Sequence, residues 1–83
     1  MDLPHWKLTD RGLFRCLSFA SFIKLTEYLA ELGPVADAMN HHPDLAVRKA
    51  TYLEVCLLTH DQQKVTELDY ELAKKMSELF ERY

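Results

Sequence analysis

SFASFIKLTEYLAELGPVADAMNHHP, residues 18–43, carries Phe22, Leu25, Leu29, Leu32, Ala36 and Met39 at steps of three and four. That spacing puts the apolar side chains on one stripe of an α-helix, so an amphipathic helix is predicted between Ser18 and Asn40, with Ser18 or Ser21 available as N-cap. Gly33-Pro34 interrupts the run, because proline lacks a donor N–H and crowds the preceding turn. The stripe keeps its phase on both sides, which predicts a kink and not a break. A residue before proline is pushed out of the α region, so His42 marks the helix end, with Asn40 placed to take a left-handed cap.

On the N-terminal side, Trp6 to Phe19 alternates around the polar turn Thr9-Asp10-Arg11-Gly12. Leu13, Arg15, Leu17 and Phe19 share one parity, and Phe14, Cys16 and Ser18 the other. Two short strands joined as a hairpin are predicted. On the C-terminal side, Ala46 to His60 returns to period two: Thr51, Leu53, Val55, Leu57 and Thr59 face one way, and Tyr52, Glu54, Cys56, Leu58 and His60 the other. One long bent strand and two strands both fit this segment. Thr66 to Tyr83 then carries Leu68, Leu72, Met76, Leu79 and Tyr83 at helical spacing, with Thr66 as N-cap and Asp69 at the capping-box position. Strands, helix, strand and helix make an α+β two-layer domain, its helices on one face of an antiparallel sheet.

The composition bounds the function. A chain of 83 residues with 48% hydrophobic content supports a single domain, read as 1–83. A core that small makes association between copies an expectation. Net charge is −3, and no basic run occurs, which disfavours direct binding to nucleic acid or an anionic membrane. Cys16 and Cys56 match neither a metal motif nor a disulfide framework and are expected to be reduced core residues. No signal-peptide stretch lies in Met1 to Asp10, and no eighteen apolar residues run together, so a soluble intracellular protein is expected.

Three of the four histidines fall within one window, His41-His42-Pro43 and His60. Imidazole suits proton transfer near neutral pH, which makes this the place to look for chemistry. His41 would close the first helix, where the dipole favours a cationic side chain. Asp37, four residues earlier, would orient it. His60 ends a strand, beside the loop Asp61-Gln62-Gln63-Lys64. Adjacent histidines diverge by roughly 100° on a helix and 180° on a strand, which argues against one shared zinc ion. His5 has no partner in the pattern and is expected to be exposed.

Asp37-Ala-Met-Asn-His41-His42-Pro43, followed by Thr59-His60 and Asp69, resembles the signature of the pterin-4a-carbinolamine dehydratases. Trp6 resembles that family's early tryptophan, Leu17-Ser-Phe19-Ala-Ser-Phe22 its entry into the first long helix, and Thr66-x-x-Asp69-x-x-Leu72-Ala73 its last helix. The likeness runs from about Trp6 to Phe80. It implies a four-stranded antiparallel sheet with helices on one side and dimers or tetramers. It also implies dehydration of a 4a-hydroxytetrahydropterin to the quinonoid dihydropterin, in tetrahydropterin recycling, without metal or organic cofactor. Carried over, it makes His41, His42 and His60 catalytic, with His41 and His60 as the proton-transferring pair and His42 positioning the pterin. Asp37, Asp69 and Pro43 would orient or bind. The partner would be a small pterin, and the compartment the cytoplasm, with the nucleus open to it.

Departures from the family pattern are local. Ala50 stands where the family has an aromatic after His-His-Pro, with Tyr52 as a substitute ring on the same strand. Lys64 stands at a loop position often glycine in relatives, and the extra N-terminal helix of some members is short or absent. Two further readings belong to the same resemblance: a non-catalytic pterin-binding module, and a dimerisation cofactor for a homeodomain transcription factor. Lys24, Glu27, Glu31, Glu71, Lys74, Lys75 and Glu78 read more simply as solvated helix faces.

Overall fold

Alternation over the first segment produces a hairpin, β1 (Lys7–Thr9) and β2 (Gly12–Ser18), in this computed structural model, which describes residues 3–83. Met1 and Asp2, which belong to the predicted 1–83 domain and to the N-terminal stretch expected to lack a signal peptide, lie outside the described residues. Gly12 turns with φ 133°, and a Cβ there would stand 2.3 Å from the Leu57 carbonyl oxygen, so only glycine fits. The ambiguous segment resolves into two strands, β3 (Asp44–Arg48) and β4 (Tyr52–Leu57). Lys49 and Ala50 both take positive φ, 52° and 65°, and turn the chain between them.

The four strands form one antiparallel sheet in the order β1-β2-β4-β3. Helix α1 (Phe22–Met39) continues through Pro34, and α2 (Glu67–Phe80) follows β4. Leu13, Leu17, Leu53, Val55 and Leu57 line the inner face of the sheet and pack with Leu25, Tyr28, Leu32, Leu72, Ala73, Met76 and Leu79 from the helices. Fully burying a leucine, valine or methionine among them contributes roughly 1.5–3 kcal/mol. Architecture and layering are those expected from the sequence.

Several packing details differ from the sequence reading. Phe22 is 55% exposed, whereas Tyr28, off the predicted stripe, is fully buried because its hydroxyl donates to the Met76 carbonyl at 2.9 Å. Cys16 is exposed on the outer face and Cys56 half-buried, so neither is a core residue: both lie on the parity opposite the buried leucines. Leu68, in the first turn of α2, is exposed at the rim of the histidine cluster. The charged residues read as solvated helix faces are all exposed.

Candidate active site

Antiparallel register explains why histidines from distant positions meet. Asp44 pairs with Cys56, so the start of β3 lies beside the end of β4. His41-His42-Pro43 leads into β3 and Thr59-His60 leaves β4, which brings the two segments to one edge. Asn40 caps α1 in the left-handed conformation, φ 51° and ψ 40°, as the sequence implies. The His41 N–H then folds back to the Ala36 carbonyl at 3.2 Å, a Schellman-type closure that fixes where its side chain starts.

Each of the three imidazoles faces a carboxylate. His41 Nε2 lies 2.7 Å from Asp69 Oδ1, His42 Nε2 2.7 Å from Asp37 Oδ1, and His60 Nε2 3.4 Å from Asp44 Oδ2. Asp37 therefore serves His42 and not His41. The left-handed cap turns His41 away from the preceding helical turn and towards α2. Asp44 is a partner that periodicity did not reveal, because its nearness to His60 comes from pairing between strands.

Burial separates the three pairs. The His41 side chain is 10% exposed and Asp69 completely buried, while His42 and His60 are 57% and 61% exposed. Asp69 Oδ2 also accepts the Thr59 hydroxyl at 2.8 Å and the Thr66 backbone N–H at 2.9 Å. It is at once the reaching-back half of a capping box for α2 and the partner of His41. A cavity of about 360 Å³ is lined by Asn40, His41, His42, Leu58, Thr59, His60, Asp61 and Leu68. That volume is in the range of small-ligand sites, and Leu58 and Leu68 supply the apolar part of a wall otherwise made of polar side chains. A second, more apolar cavity of about 330 Å³ lies across His42 and includes Asp37, Pro43, Leu32 and Leu45.

Ala50 and Tyr52 are not part of this site. Both lie by the β3–β4 turn, and Tyr52 pairs with Arg48 and Ser18, at the opposite strand ends from His60. Missing an aromatic ring at Ala50 thus leaves the histidine cluster untouched, and Tyr52 does not replace one there. In the loop after His60 the positive φ belongs to Gln63, at 55°, and not to Lys64, which pairs with Thr59 in an isolated bridge. His5 is exposed, with φ 77°. Among the described residues no group of three or more His, Cys, Asp or Glu side chains is arranged to hold a metal ion, and no helix is long and apolar enough to cross a membrane.

Comparison with known proteins identifies the family and agrees with the fold. The profile of the family described as pterin 4 alpha carbinolamine dehydratase matches residues 1–79. A relative from Sulfurisphaera tokodaii, provisionally named pterin-4-alpha-carbinolamine dehydratase, is 39% identical over 93% of this chain and 82% of its own length. One of the same provisional name from Saccharolobus solfataricus is 41% identical over 96% and 84%. The crystal structure of a protein from Brucella melitensis titled transcriptional coactivator/pterin dehydratase superposes with a TM-score of 0.86 at 29% identity, covering 93% of this chain and 83% of that one. A pterin dehydratase-like protein titled as a RuBisCO assembly factor in the alpha-carboxysome shares the fold, with a TM-score of 0.72 at 18% identity over 90% and 86%. With the family profile spanning nearly its whole length, and relatives near 40% identity, this chain belongs to the pterin-4-alpha-carbinolamine dehydratase family.

Proposed function

We propose that the protein dehydrates a 4a-hydroxytetrahydropterin to the quinonoid dihydropterin, by histidine acid–base catalysis, in tetrahydropterin recycling. The observation that carries this reading is the set of three imidazoles, each facing a carboxylate, with all three lining one cavity of about 360 Å³. In the reaction an acid protonates the departing 4a-hydroxyl, the C4a–O bond breaks and water leaves. A base removes the N5 proton, and the freed pair forms the C4a–N5 double bond. Positioned acids and bases typically supply about 10²–10⁴-fold in such steps. His41 and His60 take the two proton-transfer roles. His42, with Asp37 and Pro43, positions the pterin, and Asp69 holds His41. These steps draw on no metal or organic cofactor. The same reading makes the chain one cytoplasmic domain that works as a homodimer or homotetramer on a small-molecule partner.

The test is turnover of a synthetic 4a-hydroxypterin, followed by absorbance. Wild-type protein should accelerate dehydration, and His41→Ala or His60→Ala should lower the rate by at least ~10²-fold. Folded wild-type protein no faster than buffer would overturn the enzyme reading. Pterin binding without turnover would favour a non-catalytic module. A dimerisation role with a transcription factor is the second reading, and what favours it is the double title of the Brucella melitensis structure.

A further inference from the structure

Behind His41 lies a chain of hydrogen bonds whose proton directions follow from the partners. The Thr66 backbone N–H can only donate, so Asp69 Oδ2 accepts there, at 2.9 Å. The Thr59 hydroxyl donates its single proton to the same oxygen at 2.8 Å. Thr59 Oγ1 and Thr66 Oγ1 are 2.6 Å apart, and with the Thr59 proton already committed, the Thr66 hydroxyl must be the donor between them. Every proton in the chain therefore points towards Asp69. The remaining oxygen, Oδ1, faces His41 Nε2 at 2.7 Å, and an ionised carboxylate, with no proton of its own, can only accept there. No buried side-chain nitrogen or oxygen among the described residues lacks a partner.

We infer that Thr59, backed by Thr66, is a positioning residue that locks His41 as its Nε2–H tautomer and leaves Nδ1 as the nitrogen through which it exchanges protons. Held at Oδ2 by two donors, the Asp69 carboxylate cannot rotate without breaking both bonds, so Oδ1 stays aimed at His41. A neutral imidazole bonded to an acceptor at Nε2 keeps its proton there and presents a lone pair at Nδ1. A proton taken up at Nδ1 gives an imidazolium already paired with a buried carboxylate. The assignment rests on the proposed dehydratase reading for its catalytic meaning, but the tautomer itself does not.

Nitrogen-15 NMR of the intact protein, at alkaline pH where imidazoles are neutral, reads the tautomer directly. Wild-type His41 should show a protonated Nε2 and an unprotonated Nδ1. Thr59→Val, close in shape but without the hydroxyl, should give a mixed tautomer, and kcat should fall roughly 10-fold with KM little changed. Thr59→Ser should restore both. Unaltered His41 nitrogen shifts in Thr59→Val would overturn the inference, as would a wild-type His41 protonated at Nδ1. If Thr59→Val does not fold, Thr66→Val gives the same readout through the outer hydroxyl, and unchanged shifts there overturn it equally. A protein that lacks turnover yet shows the expected tautomer shift would sink the dehydratase reading and leave this one standing.

Discussion

Asp69 does more than any other single residue here, because its two oxygens receive His41 Nε2, the Thr59 hydroxyl and the Thr66 N–H while the side chain is wholly buried. Asp69→Ala would strand those donors inside the protein. A buried donor left unmade costs about 1–3 kcal/mol, and partial relaxation should hold the total loss near 3 kcal/mol. Urea denaturation measures it, and a loss below about 1 kcal/mol would mean that water replaces the carboxylate. The sequence marked Asp69 twice, as a capping position and within the family pattern, so its place was legible. Which histidine it serves was not. Helical spacing pointed Asp37 at His41, but the left-handed Asn40 rotates the chain between them, and such a turn breaks any spacing rule carried across it. Asp44 stayed hidden for another reason: its nearness to His60 depends on β3–β4 register, which no local period encodes.

Among the elements, the helices are legible nearly to their ends, while periodicity leaves the second strand pair open between one bent strand and two. Leu25, Leu32 and Ala36 of α1, and Leu72, Met76 and Leu79 of α2, are buried as their stripes required. Periodicity alone does not settle β3 because it is an edge strand. Leu45 and Val47 lie on the core-facing parity yet remain 41% and 44% exposed, so no clean alternation marks the strand. Its turn offers a prediction of its own. Ala50 holds φ 65°, a left-handed conformation that costs an L-residue with a Cβ roughly 1–2 kcal/mol. Ala50→Gly relieves that strain but gives the unfolded chain more freedom, so a net gain of up to about 1 kcal/mol is expected in thermal or urea unfolding. Dehydration rate should not change, since the turn is at the far end of β3 from His42.

Across the whole molecule, one sheet face is sealed by helices and the other carries Phe14, Cys16, Tyr52, Glu54 and Cys56 outward. The two cysteines report on that face differently. Burial first, and then the nearby Asp44 carboxylate, raises the Cys56 thiol above its ordinary pKa, and its S–H rests 3.3 Å from the Arg11 carbonyl oxygen. Near neutral pH, iodoacetamide should therefore modify exposed Cys16 before Cys56, whose reaction should need a higher pH to form thiolate. Peptide mass spectrometry resolves the order. Equal rates would mean that this face opens in solution, and protection of both would mean that another surface covers it. The double duty of Asp69 also bears on ancestry. A descendant that abandoned proton transfer would still be obliged to keep this carboxylate, on pain of losing the cap of α2. Asp37 and Asp44, 80% and 64% exposed, hold nothing together but an imidazole. If the proposed proton transfer were lost, drift would erase those two before Asp69, which the cap of α2 would still hold in place.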